Sequence, residues 1–160
     1  MIQIQIKEES QLYNQLDPNR NRVNEEVYNY LKSYCTESES KKHEFDKLHI
    51  ISDESVDAHD FKRALHDTIR REQEGLECQI ATNKRRAIWG YIVGVALSIA
   101  GVLIASLTDK VLLALVSFFG TMVLNEAVAI STKIIPDIKQ SKSRLNPLLN
   151  CEIEVSVTQK

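Results

Sequence analysis

Four groups of residues in this 160-residue chain carry enough chemistry to ask what they could do. His59-Asp60 and His66-Asp67 repeat at seven residues, so on a helix both imidazoles share a face. Two such histidines with flanking acids could begin a metal site, but no cysteine or third ligand stands where it would complete one. A solvated helix face is the expected reading. Cys35, Cys78 and Cys151 are an odd number with no CxxC or Cys/His spacing, which argues against a disulfide framework or a zinc site and fits a reducing compartment. Asp17 to Arg22 (DPNRNR) is a polar turn with two arginines that could contact a ligand or partner, or could simply be solvated. Asn125 and Glu126 stand side by side inside the apolar run TMVLNEAVAI, where a carboxylate is expensive unless something compensates it.

Enzymatic signatures are not found. The spacing of Arg63 and His66 does not match that of HEPN-type ribonucleases, and no other arginine supplies it. The chain has no G-x-S-x-G, no phosphate-cradling glycine loop and no H-E-x-x-H. The expectation is therefore a non-enzyme with no catalytic residues, no cofactor and no metal. A formal charge of -2 gives no overall pull toward nucleic acid, so no nucleic-acid partner is expected.

The elements that must position these residues are uneven along the chain. Residues 87–107 run for 21 positions without a charge, and 111–124 are apolar again after Thr108-Asp109-Lys110. About 20 apolar residues at 1.5 Å rise span a hydrocarbon core of roughly 30 Å. Two transmembrane helices are expected, 87–107 and 111–132, joined by an extracytosolic turn at 108–110. The competing reading, buried helices of a soluble core, requires uncharged helices of a length rare outside membranes.

The flanks read as an α+β cytosolic domain. Ile2, Ile4 and Ile6 alternate with polar residues, as do Cys151, Ile153, Val155 and Val157, and a further strand is expected over Phe45–Ile51. All three are expected in one small sheet. Val23, Val27, Leu31 and Tyr34 predict a short amphipathic helix, followed by a polar loop at 36–42. Ser55 is the expected N-cap of a second helix, with Asp57 in its first turn. Phe61, Leu65, Ile69, Leu76 and Ile80 keep one face apolar, and no stop signal separates this helix from the first span. Residues 56–107 can thus form one helix, with Gly75 the expected bend. The resulting division is a cytosolic α+β region with a membrane-proximal helix at 1–86, the two spans and their turn, and a basic segment with a closing strand at 133–160.

Topology follows from geometry and charge. MIQIQIKEES contains no apolar signal-peptide core, so the residues before Ala87 are expected to stay in the cytosol. Two spans joined by three residues form a hairpin, which returns the chain to the side it left. Lys84, Arg85 and Arg86 precede the first span, and Lys133, Lys139, Lys142 and Arg144 follow the second. The positive-inside rule places both termini in the cytosol, with Lys84–Arg86 meeting lipid headgroups. Trp89 and Tyr91 stand where an interfacial aromatic belt is expected.

Each span carries its own stripe. Gly90, Gly94, Ser98, Gly101 and Ala105 recur at helical spacing, a small-residue face suited to close helix packing. Ala114, Ser117, Thr121, Asn125, Ala129 and Thr132 form a second stripe that is small and polar. Both could pack the hairpin on itself. Alternatively Ser117, Thr121, Asn125 and Thr132 face a subunit interface or a hydrated centre of an oligomer. Glu126, beside that stripe in the cytosolic third, either pairs with Arg85, Arg86 or a tyrosine hydroxyl or joins a ring of pore carboxylates.

The order of elements resembles a family of small bacterial two-span membrane proteins with a cytosolic α+β domain. The pieces that carry the resemblance are LYNQLDPNR, HIISDESVD, NEAVAI and CEIEV. The architecture is also loosely similar to membrane effectors of anti-phage systems. Together with the residues, this implies an oligomeric inner-membrane protein whose cytosolic domain senses a protein or small-molecule signal and whose hairpins form or gate a pore. The alternative is a non-conducting anchor or adaptor that holds a cytosolic partner at the membrane.

Overall fold

In the computed structural model the described residues are 2–37, 47–53, 55–105 and 110–157, and their side chains are described outside 104–113. Much of the expected loop at 36–42, the first residues of the expected strand at Phe45, and Thr108-Asp109 of the expected turn lie outside the described residues. The chain divides into two compact units, Met1–Glu74 with Ser141–Lys160, and Gly75–Gln140.

The first unit is α+β. Its strands are β1 (Ile2–Ile6), β2 (Lys47–Ser52) and β3 (Glu152–Val157), in the order β1-β2-β3 with both pairings parallel. Parallel neighbours require crossovers. The chain passes from β1 to β2 through α1 (Glu25–Glu37). It passes from β2 to β3 through α2 (Ala58–Ala105), α3 (Lys110–Ala129), α4 (Ile135–Arg144) and α5 (Asn146–Asn150). The second unit is thus an insertion within the second crossover. The three expected strands do share one sheet, while their parallel direction follows from crossovers that local periodicity does not encode.

Period-2 alternation gives the sheet its two faces. Ile2, Ile4, Ile6, Leu48 and Ile50 are buried, and Gln3, Gln5, Lys47, Glu152 and Glu154 are exposed. Lys47 bridges to Glu154 at 2.5 Å on this open face. That hydrogen bond raises the lysine and lowers the carboxylate from their ordinary ionisation ranges. On the buried side, Leu31 of α1 and Phe61, Leu65 and Ile69 of α2 are fully excluded from solvent, together with Leu12. Each such side chain contributes about 1.5–3 kcal/mol on burial.

Two helix starts differ from expectation. The N-cap of α1 is Asn24, whose Oδ1 accepts the Glu26 N–H at 2.9 Å. Val23 stands before the helix in a bridge with Tyr13, and the buried helical face is Tyr28, Leu31 and Cys35. The N-cap of α2 is Asp57 and not Ser55, because the Asp57 carboxylate accepts the His59 N–H at 2.8 Å. Aspartate caps as well as serine, and this one lies directly before the first helical residue. From there α2 runs 48 residues, about 72 Å at 1.5 Å per residue, with Gly75 inside it. Of the 56–107 stretch that could form one helix, Ala58–Ala105 does so and 106–107 lie outside the described residues; the boundary between the two units falls at Gly75.

After the second span the helix continues through Pro136 as far as Arg144. Residues Ile130–Ile134 form a π turn between α3 and α4, in which the Ile135 N–H reaches the Ile130 carbonyl. Pro136 follows immediately. Proline has no N–H to give and crowds the carbonyl four residues earlier, and a π turn absorbs both demands without ending the helix.

Candidate functional site

Within the second unit, α2 and α3 form an antiparallel hairpin whose contact is set by glycine. A methyl group placed on Gly90 would meet the Cβ of Ala127 at 2.9 Å. One on Gly94 would meet Leu124 at 2.5 Å, and one on Gly120 would meet the Ser98 hydroxyl at 3.3 Å. The small-residue stripe of the first span is therefore the hairpin's own interface at Gly90, Gly94 and Ser98. Gly101 is buried as well, and Ala105 lies among the residues whose side chains are not described. Ser98 donates to the Gly94 carbonyl at 2.8 Å, which satisfies its hydroxyl inside the contact.

Polar clamps close the end of the hairpin that leads into the rest of the chain. Arg86 donates to Glu126 at 2.6 Å, and the Tyr91 hydroxyl bonds Ser131 at 3.2 Å. Ala87 and Ile130 are buried in a small apolar cluster with Ile135, against which Ile80 packs. Glu126 thus has the basic partner that one reading of the sequence named for it. Of the headgroup triplet, Arg86 is engaged by Glu126, while Lys84 and Arg85 are exposed with no ion pair among the described residues.

The second stripe lies elsewhere. Ser117, Thr121, Asn125, Glu126 and Thr132 are all exposed, while Gly120 and Ala127 are buried. The polar stripe is hence on the face of α3 turned away from α2. Thr121 donates to the Ser117 carbonyl and Thr132 to the Val128 carbonyl, each at 2.8 Å. Asn125 makes no side-chain hydrogen bond among the described residues. Its amide has two donors and an acceptor free.

Both helices are long and apolar enough to cross a membrane, with mean hydropathies of 1.7 and 1.5 over their most apolar windows. Only 17% of each window is buried within the chain. Trp89, Val102, Phe118 and Met122 are all more than half exposed. Among the described residues the apolar faces of these two helices are therefore left largely uncovered by the rest of the chain.

The first unit holds a second set of polar groups, and here the local sequence is misleading. His66 is half-buried and donates Nε2–H to the Leu149 carbonyl at 2.9 Å, a structural tie and not a solvated imidazole. The DPNRNR turn forms as expected, with Asp17 Oδ1 accepting the Asn19 N–H and Oδ2 the Asn21 N–H, both at 3.1 Å. Arg20 takes a left-handed backbone (φ 52°), held by its ion pair to Glu9 at 2.9 Å and by stacking over the Tyr13 ring. Arg22 lines an open cleft of about 420 Å³ with Asn14, Asn19, Asn21 and, from α2, Arg71. Sequence reading missed Arg71, because nothing local links it to a turn some fifty positions earlier. Burial pushes the Tyr13 hydroxyl up to about 12 and the Cys35 thiol up to about 11, and it raises Cys151 too. The buried thiols are therefore poor nucleophiles.

No protein-family model, curated protein or solved structure matches this chain. Any functional reading accordingly rests on the chain's own residues.

Proposed function

We propose that this chain is an oligomeric membrane protein of bacterial inner-membrane type, whose hairpins associate through the Ser117–Thr121–Asn125 face of α3 and form or gate a pore. The observation that carries this reading is the exposed Asn125 amide within the apolar run of α3. In hydrocarbon an unpaired amide costs several kcal/mol, so it favours a polar surrounding made by other copies or by water. Ser117, Thr121 and Thr132 lie along the same face, and their hydroxyls add acceptor sites to it. The first span contributes little polarity because its glycines are spent on the hairpin contact.

In this arrangement both termini and the α+β unit are cytosolic, with Lys84, Arg85, Lys133, Lys139, Lys142 and Arg144 on the inner side. Lipid is one partner and a second copy of the chain another, and the α+β unit receives the protein or small-molecule signal. The ion pair of Glu126 with Arg86 supports a role in the hairpin contact over that of a free pore carboxylate. That same ion pair favours a second reading, a non-conducting anchor or adaptor whose polar face contacts neighbours without a lumen.

Ion flux across liposomes separates the two. A pore predicts flux from the purified oligomer that Asn125→Leu reduces at least tenfold. No flux in any condition, or flux and selectivity untouched by Asn125→Leu, leaves the anchor. Labelling of a cysteine at position 109 from the cytosolic side would overturn the topology.

A further inference from the structure

The cleft beside the DPNRNR turn differs in its arginines from the helix surface around it. Arg20, Arg63 and Arg70 each have a carboxylate partner, in Glu9, Asp60 and Glu74 respectively. Arg22 and Arg71 have none among the described residues, yet these two line the same cleft. They come from separate segments, one from the turn and one from α2, so their meeting is a product of the fold. Asn14, Asn19 and Asn21 add side-chain amide donors around them. The one carboxylate in the lining, Asp17, already accepts two backbone N–H groups and holds the turn closed. Two guanidiniums therefore face an open space with donors in excess of acceptors.

The donors are also held in place. Asn14 N–H bonds the Arg22 carbonyl at 2.9 Å, which closes the turn at its neck. Val23 N–H bonds the Thr68 hydroxyl at 3.1 Å, which fixes the turn to the helix that carries Arg71. Groups fixed before binding lose less freedom when a ligand arrives. Leu16, 92% exposed, stands in the lining as an apolar surface beside the cations. The volume falls within the range of roughly 300–1,000 Å³ typical of small-molecule sites.

We propose that this cleft binds a phosphate group, Arg22 and Arg71 gripping its oxygens and the asparagine amides completing the shell. Planar guanidinium matches the spacing of phosphate oxygens, and the charge-assisted bonds are about twice as strong as neutral ones. Leu16 covers the organic part of a phosphoester. The phosphate belongs to a free small molecule or to a lipid headgroup, and the two sources are separable by experiment. That this cleft receives the signal for the hairpin rests on the function proposed above; the binding itself does not.

The test uses the full-length chain in phosphatidylcholine nanodiscs, titrated with inorganic pyrophosphate by calorimetry. Saturable binding is expected, weakened about tenfold or more by Arg22→Gln and by Arg71→Gln singly. Both side chains are exposed and unpaired among the described residues, so the thermal midpoint of each variant is expected to match the parent. Arg71→Lys, which keeps the charge and loses the fork, is expected to fall between. Should pyrophosphate fail to bind while vesicles containing phosphatidic acid capture the parent and not the Arg71→Gln variant, the phosphate is lipid. Absence of binding in both arms, or binding that both glutamine variants retain, overturns the site. Flux is read separately, so pyrophosphate binding without flux sinks the pore alone, and flux without binding in either arm sinks the cleft alone.

Discussion

Closing the hairpin through glycine makes a quantitative demand on position 90. A methyl group there would lie 2.9 Å from the Cβ of Ala127 and 3.7 Å from its Cα. Non-bonded carbons prefer roughly 3.5–4.0 Å, so the shortfall is about 0.6–1.1 Å. Neither side chain has a rotamer with which to move aside, and the helices must separate locally. Overpacking of this kind costs about 1–3 kcal/mol. Alanine is also about 1 kcal/mol better than glycine inside a helix, so Gly90→Ala is expected to lose up to roughly 2 kcal/mol net. Ala127→Gly makes room for the new methyl group. The double variant Gly90→Ala/Ala127→Gly is therefore expected to recover most of the loss, with a coupling energy of about 1–3 kcal/mol. Reversible unfolding in mixed detergent micelles, followed by far-ultraviolet circular dichroism, measures all four corners of the cycle. Gly75 supplies an internal comparison, because a methyl group there meets nothing within 4 Å. Gly75→Ala is expected to gain about 0.5–1 kcal/mol. Zero coupling between positions 90 and 127, or equal effects of Gly75→Ala and Gly90→Ala, refutes close approach at Gly90.

The first unit yields three further expectations. Tyr13 buries a hydroxyl with no hydrogen-bond partner among the described residues, so Tyr13→Phe is expected to leave stability unchanged or raise it by about 1 kcal/mol in thermal unfolding. The same variant should flatten the alkaline limb of stability. An unfolded tyrosine ionises near 10 and this one near 12, so its contribution is full below pH 10 and is lost as pH rises through about 12. Tyr28 donates its hydroxyl to Glu72, which also accepts from Lys32 at 2.5 Å, so Tyr28→Phe is expected to cost about 1–3 kcal/mol by the same thermal assay. Maleimide labelling of the native chain at neutral pH should modify the exposed Cys78 and spare the buried Cys35 and Cys151, and equal labelling of all three would show that the core around them is open.

What the sequence made legible was whatever has a period or a length. Alternation at Ile2, Ile4 and Ile6 and again at Ile153 and Val155 marked strands, and 21 uncharged positions marked the first span. The small stripe at Gly90, Gly94 and Ser98 was readable for the same reason, since close packing needs small residues at helical spacing. Among contacts between distant segments, the pairing of Glu126 with Arg86 was readable as one alternative, because the hairpin brings them level, and others were not. The parallel order of the sheet depends on crossovers, and the meeting of Arg22 with Arg71 depends on how the turn folds onto α2. Val23 fitted a helical period but joined Tyr13 in a bridge, because Asn24 caps the helix one residue later. The π turn at Ile130–Ile134, just before Pro136, leaves no periodic signal in the sequence either.

The central claim is that the Ser117–Thr121–Asn125 face of α3 meets another copy of the chain. Oxidative cross-linking in native membranes of a Thr121→Cys variant, with the exposed Cys78 changed to serine, tests it most directly. The account predicts a covalent dimer from Thr121→Cys and much less from Val102→Cys on the apolar surface of the first span. A chain that stays monomeric at position 121, or cross-links equally at both positions, contradicts it.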